Sequence, residues 1–322
     1  MTIVIRIHEH GGPDVLQVQD VALADPGPGD VLLRNEAVGL NFFDTYQRTG
    51  IYPIDLPAAL GTESAGVVEE VGPGVEDLSP GDRVVNASQG SYCEAMVVPA
   101  ANLTRLPDDV NTSDAAAAMS KAMTVQALVE SVYPVAQDEV VVLHAAAGGV
   151  GLIACQWLKS LGARIIGTVS SDEKVDLARA NGCDIALVVP RDDLVARVMD
   201  ETDGAGVPVV FDSVGNDSFE SSLKSLRCRG TLVSFGQASG LVEPFRPNIL
   251  AAHGSLYLTR PLLDDFVATP EDKAKCTGRV FAMMASGTVK IHIGQTYPLA
   301  DIAQAHRDLE SRKTIGSTIL LP

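Results

Sequence analysis

A glycine-rich turn between an apolar run and a helical pattern carries the clearest chemistry in this sequence. Val140-Val141-Val142-Leu143 is typical of a buried strand, and Ala146-x-Gly148-x-x-Gly151 follows it directly. After the turn, apolar residues recur with the period of one helix face. The first N–H groups of such a helix and the positive end of its dipole bind anions, and small residues let a pyrophosphate approach the main chain. The pattern predicts a dinucleotide site at Ala147, Gly148, Gly149, Val150 and Gly151. A purely structural turn between strand and helix is the alternative.

The residues after the second strand of this region bear on which nucleotide is bound. In NAD-binding versions of the fold, an acidic residue ends that strand and bonds the ribose 2′-hydroxyl. Here the run 164–169 is followed by the hydroxyls of Ser170 and Ser171, with Lys174 one helical turn later. Hydroxyl and ammonium donors suit a 2′-phosphate. We therefore expect NADPH as the coenzyme.

The charges in the same segment leave a second interpretation open. Ser170 and Glu173 have the spacing of a capping box, in which case Lys174 is a solvated surface charge. Asp172 would oppose a phosphate unless it points away. Arg191, after the third strand, is either a second cation for the phosphate or an ordinary surface residue.

Strands and helices alternate from residue 139 onward, which predicts an α/β fold with a doubly wound parallel sheet and helices on both faces. The strand-like runs are 139–144, 164–169, 185–189, 207–212, 231–235 and 255–259. Six parallel strands are the complement of a dinucleotide-binding, or Rossmann, sheet.

Residues 1 to about 100 have a different character, rich in glycine, proline and short β-type runs, and they predict a mainly β domain. The β-like run 317–321 is expected to rejoin that domain. We therefore predict a discontinuous catalytic domain of residues 1–121 and 261–322, and an NADPH-binding domain of residues 122–260. A chain of 322 residues suits two domains.

Charge and cysteine content argue against several other classes of protein. The net charge of −17 disfavours nucleic-acid binding, because phosphates would be repelled. No apolar stretch of about 20 residues is present to span a membrane. Residues 1–10 lack the apolar core of a signal peptide, and five cysteines without a CxxC pair are typical of reduced thiols. We expect a cytoplasmic protein.

Several motifs together resemble one family along the whole chain. They are Gly61-Thr62-Glu63-x-x-Gly66 with Gly72, Gly81-Asp82-Arg83-Val84, the segment 41–53, the turn Ala145-x-x-Gly148-x-x-Gly151, and Glu310-Ser311-Arg312-x-Thr314-x-Gly316-Ser317. In this combination the sequence resembles the zinc-free quinone oxidoreductases, related to zeta-crystallin, of the medium-chain dehydrogenase/reductase superfamily. The resemblance implies a GroES-like catalytic domain, a Rossmann domain and the activity of an NADPH:quinone oxidoreductase.

The positions that hold catalytic zinc in other members of that superfamily carry different residues here. A catalytic zinc needs three protein ligands and an open position. Asn41 stands at the cysteine position and Thr62 at the histidine position, and Glu63 alone cannot hold the ion. Only Cys93 falls in the region where the superfamily's structural zinc lobe has four cysteines. We predict no metal site.

Without zinc, a flat and electron-poor quinone is a well-matched acceptor, because it needs little acid catalysis. Segment 41–52 supplies the predicted catalytic residues Asn41, Tyr46 and Tyr52. Asn41 can hydrogen-bond the coenzyme ribose or a substrate carbonyl. The tyrosine rings can stack and their phenols can donate a proton. The alternative is a polar turn whose tyrosines close the seam between the domains.

The resemblance also implies further coenzyme contacts, after strand ends or in the cleft between the domains. They are Asn41, Thr124, Ser213, Val214, Phe235, Gly236, Ser239, Leu258, Arg260 and Arg312. For the last three, hinge packing and ordinary surface charge are the alternatives. The sequence departs from the family pattern at Val189-Pro190, Ala122 and Gln126. The first departure implies either weaker affinity for the 2′-phosphate or compensation by Arg191, and the last alters one wall of the site.

Two other functions remain open from the sequence. An NADPH-dependent reductase of α,β-unsaturated carbonyls would send the same hydride to an alkene carbon, and a non-enzymatic binding protein would use NADPH as a modulating ligand. The run 255–259 is expected at a sheet edge, and the resemblance implies that a second copy pairs there in a homodimer.

Overall fold

The computed structural model describes all residues from Met1 to Pro322. Strands β1 to β16 are, in chain order, Thr2–Ile7, Gln17–Val21, Asp30–Leu40, Ala58–Ala59, Ser64–Val71, Arg83–Asn86, Ala95–Pro99, Leu103–Arg105, Val140–Leu143, Arg164–Val169, Ile185–Val188, Val207–Asp212, Leu226–Ser234, Tyr257–Thr259, Ile293–Pro298 and Ser317–Leu321. Helices α1 to α9 are Phe42–Thr49, Thr112–Gln126, Gly149–Ser160, Glu173–Ala180, Leu194–Glu201, Phe219–Ser225, Asn248–Ala252, Pro270–Ala285 and Ile302–Glu310, and the π-helical turn Ala127–Val132 continues α2. None of the helices combines the length and the apolar character needed to cross a bilayer.

The chain forms two compact units, and the second, Lys121–Lys290, is built on a six-stranded parallel sheet. The strand order is β11-β10-β9-β12-β13-β14, and every neighbouring pair is parallel. Counted from β9, this is the order 3-2-1-4-5-6 of dinucleotide-binding folds. All six residues of β12 are buried, as expected of a central parallel strand covered on both faces. The Rossmann sheet is thus confirmed, although β13 begins at Leu226 rather than at 231.

The first unit, Met1–Ser120 with Ile291–Pro322, is mainly β. One sheet has the order β15-β16-β3-β5-β6-β8, with β7 also paired to β3, and a smaller sheet has the order β2-β1-β4. β16 is antiparallel to β3, with Thr318 opposite Leu40, so the C-terminal strand rejoins this unit. Apolar clusters around Ile5 and around Leu33 form its cores.

The second boundary between the units lies after Lys290, whereas the sequence placed it after residue 260. Helix α8 accounts for the difference, because its polar contacts are made within the second unit. Nε and Nη2 of Arg279 donate to Oε1 of Glu130 at 3.0 and 2.9 Å, and the Cys276 thiol donates to the carbonyl of Met123 at 3.9 Å. The periodicity of residues 270–285 predicts a helix but does not say which unit it packs against.

Candidate coenzyme site and catalytic segment

The glycine turn lies at the carboxyl end of β9, and α3 begins within it at Gly149. The helix leaves its first N–H groups, those of Gly149, Val150 and Gly151, without intrahelical partners, and the dipole is positive at this end. A Cβ at position 151 would lie 2.2 Å from the carbonyl oxygen of Ala145, so only glycine fits there. Close packing of the helix against the strand is the part that the third glycine plays in dinucleotide-binding turns.

Alanine replaces the first glycine of the fingerprint at position 146, and the neighbouring strand explains how it is accommodated. A Cβ at Gly167 of β10 would lie 2.7 Å from the Cβ of Ala146, so the missing side chain of Gly167 makes room for the methyl group. Ala145 adopts a left-handed conformation with φ +54°. This conformation costs an alanine about 1–2 kcal/mol, so the surrounding structure must hold it.

The predicted donors to the 2′-phosphate lie together after β10. Ser170 and Ser171 follow the strand, and Lys174 lies in the first turn of α4, where its Nζ donates to Oγ of Ser170 at 3.1 Å. Helix α4 begins at Glu173 with Asp172 as the N-cap residue, and no side chain caps it. The alternative capping box between Ser170 and Glu173 is therefore wrong.

The acidic residue in this segment is paired with Arg191. Nη1 of Arg191 donates to both carboxylate oxygens of Asp172 at 2.8 and 2.9 Å, and its Nε donates to Oδ1 of Asp192 at 3.0 Å. Hydrogen bonds to Asp192 and then to Asp172 raise the pKa of the Arg191 guanidinium above its usual value. Arg191 thus offsets the carboxylate that would oppose a bound phosphate.

Three more turns lie at the carboxyl ends of β12, β13 and β14, on the same edge of the sheet. The predicted contacts found there are Ser213, Val214, Phe235, Gly236, Ser239 and Arg260, whereas Leu258 lies within β14 itself. Oγ of Ser239 donates to the carbonyl of Val214 at 2.8 Å, and a Cβ at Gly236 would lie 2.5 Å from the carbonyl oxygen of Ser213. The turns after β12 and β13 therefore interlock. Nη1 of Arg260 donates to the carbonyl of Ser234 at 2.9 Å.

The remaining two predicted coenzyme contacts lie away from these turns. Thr124 is half-buried on α2 in the second unit. Arg312 is exposed in the turn after α9 in the first unit, with φ +61°. Their part in coenzyme binding stays a prediction.

In the first unit, Asn41 is the N-cap residue of α1 and is held by two carboxylates. Its backbone N–H donates to Oδ2 of Asp44 at 2.8 Å, and its Nδ2 donates to Oε2 of Glu63 at 3.0 Å. Oε1 of Glu63 also accepts from the backbone N–H of Ser120 at 2.5 Å. The Asn41 amide is thereby fixed in orientation. No three His, Cys, Asp or Glu side chains are grouped so that they could hold a metal ion.

The two candidate tyrosines form an aromatic cluster in the same unit. Tyr46 on α1 is 7 % exposed, and Tyr52 is half-buried. Their ring centroids are 5.4 Å apart and nearly perpendicular, and Phe43 lies 5.3 Å from Tyr52. This edge-to-face packing keeps both rings rigid. It is compatible with stacking on a substrate and with a purely structural role.

Sequence reasoning missed a buried hydrogen-bond chain that supports this segment. Arg48, 1 % exposed, donates from Nη1 to Nδ1 of His306 at 2.8 Å. Nε2 of His306 therefore carries the ring proton and faces Oη of Tyr92 at 3.3 Å. Tyr92 donates in turn to Oδ2 of Asp44 at 2.7 Å, and Thr62 donates to Oδ1 at 3.0 Å. Asp44 thus accepts several bonds that fix the start of α1.

Burial sets the protonation states along this chain. Desolvation, with a further contribution from the charge of Arg48, lowers the pKa of His306 to about 3. Desolvation and the charge of Asp44 raise the pKa of Tyr92 well above its usual value. The imidazole and the phenol are therefore neutral at physiological pH. No local sequence pattern predicts this row of hydrogen bonds, because Arg48 and His306 are 258 positions apart in the sequence.

Two known families match the chain, the alcohol dehydrogenase GroES-like domain over residues 27–108 and the zinc-binding dehydrogenase over residues 149–259. The name of the second family mentions zinc, but the matched residues 149–259 do not include Asn41, Thr62 or Glu63, the three positions considered above for a catalytic zinc. A GroES-like β domain joined to a Rossmann domain defines a medium-chain dehydrogenase/reductase.

Comparison with individual proteins narrows the class. The chain is 46 % identical over 321 residues to the quinone oxidoreductase of Pseudomonas aeruginosa, with 99 % of each covered. Its structure is similar to the crystal structure of Escherichia coli quinone oxidoreductase complexed with NADPH. The TM-score is 0.97, the sequence identity is 44 %, and 100 % of each chain is covered. It is also 40 % identical over 331 residues to the 2-haloacrylate reductase of a Burkholderia species, and this alignment covers 100 % of the present chain and 99 % of the reductase. The chain belongs to the quinone oxidoreductases of the medium-chain dehydrogenase/reductase superfamily, which confirms the resemblance of its motifs.

Proposed function

We propose that the protein is an NADPH-dependent quinone reductase. The observation that carries the proposal is the grouping at one edge of the sheet of the glycine turn at the start of α3 and the donors Ser170 and Lys174 after β10. The full-length identity of 44 % with a quinone oxidoreductase solved with NADPH supports it. Bound NADPH would supply the reducing equivalents.

The residues of the second unit fit this coenzyme. Residues 147–151 would hold the pyrophosphate through backbone N–H groups. Ser170, Ser171 and Lys174 would bind the 2′-phosphate, and the ion pair with Arg191 offsets the negative charge of Asp172 in the same segment. Hydroxyl and ammonium donors without a strand-end carboxylate favour NADPH over NADH.

The first unit is the proposed catalytic unit. Asn41, held by Glu63, would hydrogen-bond the ribose or the acceptor carbonyl, and Tyr46 and Tyr52 would supply a rigid aromatic surface and a proton. Since Asn41 and Thr62 stand where zinc-dependent relatives have cysteine and histidine, the proposed mechanism uses no metal.

Replacement of Lys174 tests this assignment. Lys174→Ala should weaken NADPH binding by roughly 1–3 kcal/mol and leave NADH binding nearly unchanged, because only NADPH carries the 2′-phosphate. Lys224→Ala is the matched control, since Lys224 forms a surface ion pair with Glu220 on α6. Equal losses for both coenzymes, or a wild-type protein that does not reduce a naphthoquinone with NADPH, would contradict the proposal.

The 40 % identity with 2-haloacrylate reductase favours activated alkenes as a second class of acceptor. The measurement that separates the two is kcat/KM for a naphthoquinone against kcat/KM for a 2-alkenal, both with NADPH. A higher value for the alkenal would replace the quinone as the proposed substrate.

A homodimer formed through β14 is part of the proposal. β14 lies at the edge of its sheet, paired only with β13, and the Tyr257 side chain on it is 60 % exposed. Sedimentation should show a dimer that Tyr257→Lys weakens, and a monomer at all concentrations would contradict it. The five free cysteines, four of them buried, support a reducing, cytoplasmic location.

A further inference from the structure

A continuous row of buried polar side chains lies beneath the carboxyl edge of the parallel sheet. His144 directly follows β9, Thr168 lies in β10, Asp212 ends β12, and Ser222 lies on α6. Each of the four is at most 3 % exposed. Buried polar groups in folded proteins are nearly always hydrogen-bonded, so the partners of these four side chains indicate the role of the row.

The direction of every hydrogen bond in this row follows from the donors available. Oγ of Ser222 donates its only proton to Oδ2 of Asp212 at 2.9 Å, so it accepts from Nε2 of His144 at 3.0 Å. Nε2 is then the protonated nitrogen, and Nδ1 accepts from Oγ1 of Thr168 at 3.0 Å. Oγ1 of Thr168 in turn accepts from the backbone N–H of Ala145 at 3.4 Å.

The two ends of the row hold two different turns. At one end Thr168 also accepts, through its carbonyl, from the backbone N–H of Ala146 at 2.9 Å, next to the strained residue that opens the glycine turn. At the other end Oδ1 of Asp212 accepts from the backbone N–H groups of Val214 and Gly215 at 2.8 and 3.1 Å. The row therefore connects the proposed pyrophosphate turn with the proposed coenzyme contacts after β12.

The row requires a neutral imidazole with one donor and one acceptor nitrogen. Desolvation by burial lowers the pKa of His144, and the charge of Asp212 opposes this shift only in part. In an imidazolium, Nδ1 would also carry a proton, so the hydroxyl of Thr168 could no longer donate its proton to the ring. The neutral state is thus the one that completes all the bonds.

We propose that His144, in its Nε2–H tautomer, is a positioning residue for coenzyme binding that sets the glycine turn and the Ser213–Gly215 turn in one arrangement through Thr168 and Ser222. In this role it acts through Thr168 and Ser222 and needs no contact of its own with coenzyme or substrate. The inference rests on the proposed function, because it concerns the affinity for NADPH.

Two substitutions that each remove one hydroxyl test the inference. Thr168→Val and Ser222→Ala should each raise the Kd for NADPH about threefold to tenfold, the size expected for one net hydrogen bond. Because both break the same row, the double variant should raise Kd no further than the weaker-binding single variant. Thr168→Ser, which keeps the hydroxyl, should restore wild-type affinity.

The matched control is Thr277→Val on α8, where a buried threonine hydroxyl donates to the backbone carbonyl oxygen of Lys273 in its own helix at 2.9 Å. It should lower Tm and leave the Kd for NADPH unchanged. The inference is overturned if the two test variants lose thermal stability with unchanged Kd, or if their effects on Kd multiply in the double variant. A wild-type protein that fails to bind NADPH would instead overturn the proposed function, which separates the two failures.

A measurement on the unaltered protein covers the case in which the variants do not fold. Long-range ¹H–¹⁵N spectra of histidine-labelled protein at pH 7 should show two buried imidazoles with a protonated Nε2 and an unprotonated Nδ1, those of His144 and His306, and the shifts of at least one of them should respond to NADPH. The inference would be overturned by a spectrum with only one imidazole of this kind, or by a spectrum in which neither of the two responds to NADPH.

Discussion

Acidification from pH 7 to pH 5 should destabilise the protein through His306. Its imidazole is buried against Arg48, which together with desolvation holds its pKa at about 3, whereas an unfolded histidine titrates near 6.5. Between about pH 3 and 6.5 the unfolded chain binds a proton that the native imidazole does not bind. The free energy of unfolding therefore rises with pH across this window and is independent of His306 above it.

The magnitude follows from the width of the window that is crossed. Each pH unit below about 6.5 changes the free energy of unfolding by roughly 1.4 kcal/mol, so at pH 5 His306 alone should remove roughly 2 kcal/mol. His306→Gln is the matched variant, because its amide can accept from Arg48 and donate to Tyr92 without titrating.

Urea unfolding followed by far-UV circular dichroism at pH 7, 6 and 5 measures the effect. The difference in the free energy of unfolding between wild type and His306→Gln should shift by roughly 2 kcal/mol in favour of the variant on acidification. Fluorescence of the buried Trp157, the only tryptophan, reports the second unit separately. Parallel pH dependence in the two proteins would refute the assignment of a neutral, low-pKa His306.

Three substitutions test other parts of the site. Gly151→Ala places a methyl group 2.2 Å from the Ala145 carbonyl oxygen, so it should lower Tm and raise the Kd for NADPH about tenfold or more. Unchanged NADPH affinity in a binding titration would show that the turn is not the pyrophosphate site. Arg191→Gln leaves the Asp172 carboxylate without its guanidinium partner, so at low salt it should raise the Kd for NADPH more than the Kd for NADH. High salt should reduce this preference, and a preference that persists in high salt would contradict a charge effect. Tyr46→Phe should lower kcat for quinone reduction if the phenol donates a proton, and unchanged kcat would leave the ring with only a packing or stacking role.

Part of the site could be predicted from sequence because its signals are local. The glycine turn and the donors after β10 each lie within a few residues of a strand end, and parallel strands bring such ends to one edge. The structure accordingly places residues 147–151, Ser170 and Lys174 at the same edge. The capping box at Ser170 failed because α4 begins at Glu173, two residues later than an N-cap at Ser170 requires.

The sequence by itself determined the alternation of strands and helices and the Rossmann turn, because these depend on the conformational preferences of residues that are close along the chain, and it determined the family through motifs that can each be read locally. Tertiary structure alone decided that α8 joins the second unit, that Arg191 neutralises Asp172, and that His144 and His306 are neutral links in buried hydrogen-bond rows. Such partners are separated by 19 to 258 positions, and their protonation depends on desolvation, which no local pattern of residues records.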